Sequence, residues 1–244
     1  MTSGPGDYGT YEPARFSVTL ALSRAIEVLF QNFFTIFAIS ALATVPLGIY
    51  TWLEAHGIKG GGSWVSLLIN GVFSALSTAM IVFATFQALR SRGINPGESI
   101  VRGLQRFWPV FWASVLVGIV TGIGFLLLLV PGFIATCVWY VTIPACVVER
   151  LGSTESMSRS SDLTAGYRWP IFGAVLVVGI VEIAGIAVIG ALLRPETLVA
   201  YVLVYFVFIA LVRAYESVLA TIIYHDLRVA KEGVDIEQLA AVFD

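Results

Sequence analysis

From Leu126 the chain is apolar up to a Pro131-Gly132 step and apolar again to Ile143. It turns polar at Glu149-Arg150 and re-enters apolar sequence at Trp169-Pro170. Apolar runs of this length, repeated along one chain, suit a single environment. A helix needs about 20 predominantly apolar residues to cross the hydrocarbon of a bilayer. Charged residues make up only 12% of the sequence and hydrophobic ones 58%, whereas soluble domains are roughly 25% charged. The sequence therefore predicts an all-α membrane protein.

Six transmembrane helices are expected, over about 33–52, 64–89, 109–130, 133–148, 169–193 and 198–224. Pro46 is expected to kink the first. Gly60-Gly61-Gly62 and Arg194-Pro195-Glu196 read as loops, and Pro131-Gly132 as a tight turn between the third and fourth spans. Gly118, Gly122, Gly124, Gly179 and Gly185 suggest close helix approach, with Gly118-x-x-x-Gly122 matching the small-residue packing motif.

A short surface helix is expected before each pair of spans. The first covers Arg15 to Gln31, with Val18, Leu22 and Leu29 near one face. The second follows Asn95-Pro96, where Asn95 and Glu98 form a capping pair, and gathers Ile100, Val101 and Leu104 on one face. The third is Ser153 to Gly166. A gapless repeat supports this division: WPVFWASVLVGIV (Trp108 to Val120) matches WPIFGAVLVVGIV (Trp169 to Val181) at eight of thirteen positions. Residues 14–244 then form one domain of three hairpins, in repeat units of about 14–92, 93–150 and 151–232. Residues 1–13 are expected to be a disordered tail. Residues 233–244 are expected to form an amphipathic helix with Ile236, Leu239, Ala240 and Phe243 on its apolar face.

Basic residues set the expected orientation. Arg15, Arg24, Arg90, Arg92, Arg102, Arg106, Arg150, Arg159, Arg168, Arg228 and Lys231 fall on one side, and Lys59 and Arg194 on the other. Positive residues accumulate in cytoplasmic segments, so both termini and the surface helices are expected in the cytoplasm.

Three ionisable residues interrupt the apolar runs: Glu182 in the fifth span, Arg213 and Glu216 in the sixth. Such residues usually face the bundle interior and often mark function. Arg213 and Glu216 are three apart and can pair directly, and Glu182 on the neighbouring span lies roughly 7 Å shallower than Arg213 at the helical rise, an offset that long side chains could bridge. The expectation is either a neutralised polar staple or a site for a proton, an ion or a lipid headgroup.

No catalytic constellation emerges. The serines between Ser153 and Ser161 have no His, Cys or Lys nearby to serve as a base. In Tyr224-His225-Asp226 the neighbours are expected to point apart. Cys137 and Cys146 read as unpaired apolar residues. No metal-ligand spacing, cofactor motif, phosphate loop or basic block for nucleic acid is present.

Three segments, PGFIATCVWYVTIPACVVER, RSSDLTAGYRWPIFG and IIYHDLRVAKEGVDIEQLA, resemble the multi-span membrane domain of glycerophosphoryl-diester-phosphodiesterase-like proteins. They also resemble YciC-type uncharacterised bacterial inner-membrane proteins. The resemblance rests on Pro131 and Gly132, Pro144 and Glu149, Arg159-Ser160 with Leu163 and Gly166, and Tyr224, Asp226, Arg228, Glu232 and Gly233. It implies a bacterial cytoplasmic-membrane location and the same six-span topology. Phosphodiesterase activity is not expected, because the barrel that carries it in some relatives has no counterpart here. The leading expectation is a non-enzymatic protein that interacts with lipids, organises the membrane or supports other membrane proteins. The alternative is a small transporter using Glu182, Arg213 and Glu216.

Overall fold

The computed structural model describes residues 16–55, 57, 63–90, 93–192 and 198–233. The expected tail at 1–13, the glycine loop at 60–62, the turn at 194–196 and the amphipathic helix beyond Gly233 lie outside them. Among the described residues the secondary structure is entirely helical. In chain order the helices are α1 (Val18–Gln31), α2 (Phe33–Ala55), α3 (Ser63–Leu89), α4 (Pro96–Gln105) and α5 (Phe107–Leu127). They continue as α6 (Leu129–Val138), α7 (Thr142–Val148), α8 (Ser153–Thr164), α9 (Arg168–Leu192) and α10 (Leu198–Glu232). Six segments are long and apolar enough to cross a membrane: Phe33–Tyr50, Ile69–Leu89, Phe107–Leu127, Leu129–Val148, Arg168–Leu192 and Val199–Glu232.

Helices α3 and α10 are central. α2 packs on both, α1 lies on α10, α4 and α5 lie on α3, and α9 touches α10 and α6. The densest core gathers where the short helices meet the long ones. There Ile81 and Val82 of α3, Val147 of α7, Leu163 of α8, and Leu219, Ile223 and Leu227 of α10 are all fully or almost fully buried. At the opposite end, Leu126 to Val130 present their side chains outward, as a lipid-facing surface would.

The short helices turn small residues to the bundle. α1 buries Ala21, Ala25 and Leu29 and exposes Leu20, Ile26 and Phe30. α4 buries Ser99 and Gly103, and exposes Val101 and Leu104, each 53% accessible. Small residues let backbones approach closely: a Cβ on Gly103 would come within 3.1 Å of the Met80 backbone nitrogen. Leu20, Ile26, Phe30, Val101 and Leu104 are thereby directed away from the protein, while Val18, Leu22 and Ile100 pack partly against its core.

Two local expectations need correction. The chain turns at extended Leu128 (φ −163°, ψ 151°), three residues ahead of Pro131, so Pro131 and Gly132 stand inside the first turn of α6. A proline is tolerated there because its missing donor would be unpaired anyway. Close glycine packing occurs at Gly124, whose added Cβ would lie 3.0 Å from the Gly132 backbone, and at Gly185 against the Phe208 ring. Gly118, Gly122 and Gly179 have nothing within 4 Å of that position, so the expected Gly-x-x-x-Gly contact is not made.

Helix ends follow local chemistry. Asn95 caps α4, its side chain accepting from Glu98 N at 3.2 Å. Gly166 follows α8 at φ 89° and Gly233 ends α10 at φ 64°, a region that side chains other than glycine rarely tolerate. α10 continues eight residues past the expected end at Tyr224.

Candidate functional site

Two sets of polar side chains stand out, one at the arginine-rich end and one inside the bundle. The first assembles residues far apart in sequence. The Nε of Arg159 on α8 donates to both oxygens of Glu149, at 2.9 Å each, and its Nη2 pairs with Glu232. Arg228 donates to Glu232 at 3.0 Å and to the Tyr224 hydroxyl at 3.3 Å. Tyr224 in turn donates to Glu149 at 2.7 Å. Two arginines, two glutamates and a phenol thus form a closed, formally neutral ring joining the end of α7 to α8 and α10. Burial alone would lower the Arg159 pKa, but its bonds to Glu149 and Glu232 outweigh that and hold it above the ordinary value. Beside the ring, Arg24 of α1 donates to Asp226 at 3.0 Å. His225 and Asp226 share a hydrogen bond of 3.1 Å, although helix neighbours were expected to point apart.

Pro144 explains a second piece of the same end. In one continuous helix its ring would crowd the Tyr140 carbonyl and give it no donor. The fourth span breaks instead at Trp139–Val141, and Pro144 falls in the first turn of α7. At the break Thr142 N turns to Trp139 O at 3.2 Å, so the Val138 carbonyl loses its helical donor. Ser160 and Thr164, one turn apart on α8 and both fully buried, donate to it at 2.9 and 3.1 Å. Ser160 thus acts on the helix break, and its neighbour Arg159 on the end of α7.

The second set is Glu182, Arg213 and Glu216. All three line one cavity of about 350 Å³ together with Thr136, Tyr140 and Ser217. Glu182 and Arg213 also line a neighbouring cavity of about 160 Å³, whose far wall carries Ser40, Asn70, Ser74 and Tyr205. Arg213 and Glu182 are the charged neighbours of Glu216. The expected direct pair of Arg213 with Glu216 is not made, and no ion pair or side-chain hydrogen bond joins any of the three to a described residue. Two carboxyl groups therefore share a polar cavity with one guanidinium.

Sequence reading did not single out the α3 wall. Asn70, Ser74, Ser77 and Thr78 follow i, i+4, i+7, i+8 spacing and form a polar stripe within an apolar helix. That period was the available signal. On α10, Arg213, Glu216, Ser217 and Ala220 meet the larger cavity at i, i+3, i+4, i+7 spacing. Cys137 and Cys146 are free and buried. Among the described residues no cluster of three or more His, Cys, Asp or Glu side chains could hold a metal ion.

No family model, curated protein or solved structure matches the chain.

Proposed function

We propose that this is a non-enzymatic, multi-pass protein of the bacterial cytoplasmic membrane that carries a proton or a small cation through its Glu182–Arg213–Glu216 site. One observation bears most of the weight: Arg213 stands between two polar cavities with two carboxyl groups nearby and no ion pair to a described residue. With all three groups ionised the cluster has one negative charge in excess, and an unbalanced charge among apolar spans is costly. A proton or a bound cation removes the excess. A site whose balance depends on an exchangeable positive species suits a carrier, and polar groups between discontinuous or repeated helices near the midplane are a transporter feature. Arg213 fixes the field between the two acids, and the α3 stripe offers hydroxyl and amide oxygens along the route.

On this reading the chain has three units, each a short surface helix followed by two spans, with 233–244 as a closing amphipathic helix. The eleven-to-two distribution of basic residues puts the arginine ring on the cytoplasmic side. The positions that carry the family resemblance then serve the ring and the helix break, with no phosphodiester chemistry.

The test is flux in proteoliposomes with an entrapped pH dye and, in parallel, radioactive sodium and rubidium. Wild type should dissipate an imposed gradient of at least one of these ions, and Glu216→Gln should abolish it while eluting as a monodisperse particle. Absence of all three fluxes from folded wild type would end the carrier reading. The second reading, a lipid-organising protein, is favoured by the outward apolar side chains of α1 and α4 and would then take its place.

A further inference from the structure

A further cavity lies elsewhere, against α4, and its chemistry is of opposite sign. It measures about 630 Å³ and is walled by Glu98, Arg102, Arg106 and Arg150, with Phe83 and Val101 as apolar neighbours. The wall carries three cations and one anion. Glu98 is already engaged on both oxygens: one pairs with Arg102 at 2.8 Å, the other accepts from Gln87 at 3.0 Å. Arg106 donates through Nη2 to the Cys146 carbonyl at 3.1 Å, yet its buried Nε has no partner. Burial lowers the pKa of Arg106; Cys146 opposes that, and the proximity of Arg150 adds to it.

Arg150 adds an independent observation. It is the one non-glycine residue with positive φ among the described residues, at 56°. Side chains other than glycine seldom adopt this region, and strain of this kind gathers at ligand clamps. A glycine would relieve it, but a glycine has no guanidinium to offer the cavity.

From this geometry we infer that the α4 cavity binds a phosphate group. Guanidinium forks match phosphate oxygens, two bonds at a time, and the wall has a net excess of two positive charges to meet it. The surroundings favour a phospholipid headgroup as the source. Val101, Leu104 and Trp108 are exposed beside α4 at the start of the third span. Tryptophan at a span's end sits at headgroup level. Acyl chains would lie along those side chains while the phosphate enters between Arg102, Arg106 and Arg150. The inference stands on residues distinct from the Glu182–Arg213–Glu216 cluster and does not need the carrier reading.

Binding is to be measured on full-length protein in neutral detergent, by thermal shift and by native mass spectrometry. The probes are dioleoyl phosphatidylglycerol, dioleoyl phosphatidylcholine and sodium phosphate. Arg150→Gly is the principal variant, because glycine accepts φ 56° and the backbone is preserved. Wild type should bind phosphatidylglycerol at least tenfold more tightly than Arg150→Gly does, with phosphatidylcholine affected much less. Arg106→Gln should weaken binding likewise; since it also releases the Cys146 carbonyl, Arg150→Gly decides if that variant unfolds. An Arg150-dependent shift with sodium phosphate equal to that with the lipid keeps the phosphate site but overturns the lipid source. Phosphatidylglycerol binding unchanged in folded Arg150→Gly overturns the site itself.

Discussion

Arg228 with Glu232, and Arg213 with Glu216, are the same residue types on the same helix, about four turns apart. The first two are joined at 3.0 Å; the second two make no ion pair. The spacing of four against three does not account for this, since both place side chains on one face. What differs is the company. Arg228 and Glu232 belong to a ring that also holds Arg159, Glu149 and Tyr224. Arg213 and Glu216 open onto a cavity shared with Glu182, where acids outnumber bases. A balanced, closed set of charges fixes helices in place, whereas an unbalanced set on a cavity can exchange its counter-ion. The comparison separates a joint from a site.

The most damaging way to break the joint is Arg159→Ala, which leaves Glu149 and Glu232 with Arg228 as their one shared cation. Breaking a fully buried pair costs roughly 3–5 kcal/mol, and with these side chains partly accessible a loss of about 2–3 kcal/mol is expected. Reversible SDS or urea unfolding in mixed micelles checks it. A loss below about 0.5 kcal/mol, the ordinary surface range, would mean the ring is ornamental.

A smaller effect is expected from Ser160→Ala combined with Thr164→Val, which strands the Val138 carbonyl. Leaving a buried acceptor unsatisfied costs about 1–3 kcal/mol, read by the same unfolding assay. Amide exchange should rise locally around Trp139–Val141. Unchanged exchange there would show that the break has another support.

The smallest effect is expected at the Glu182–Arg213–Glu216 cluster. Glu216→Gln removes no hydrogen bond and should change stability by less than about 1 kcal/mol. A loss as large as that of Arg159→Ala would show that the cluster is a joint after all, and the contrast between the two regions would collapse.

Much of this architecture is legible in the residues, for reasons that are themselves physical. Hydrocarbon thickness imposes a run length, so the six spans can be read. Asn95 marks a helix start through its own side-chain chemistry, whereas α10 runs on to Gly233, past the end expected at Tyr224. Pro131-Gly132 misleads because a proline signals a turn or a first helical turn equally well, and only the packing of Gly124 on Gly132 decides. The break at Trp139–Val141 was not readable from Pro144 alone. Its stability depends on hydroxyls that reach it from α8, a contact between residues twenty-two positions apart. The charged trio was visible as polar letters in apolar runs, but the cavity depends on how α3, α9 and α10 pack, and only the stripe from Asn70 to Thr78 hinted at it.

The helix break also constrains how the protein can be made. Hydrocarbon contains nothing to satisfy a bare carbonyl, and the donors for Val138 are translated after the fourth span is complete. Helices α6, α7 and α8 should therefore settle into the bilayer as one insertion unit. A ribosome-arrested chain from whose exit tunnel Val148 has emerged, but not yet Ser160, should leave a cysteine at Val138 open to aqueous maleimide. Once the arrest point lies far enough beyond Thr164 for α8 to have left the exit tunnel, that cysteine should be closed to it. The timing of membrane entry for one span is thus written into the helix that follows it.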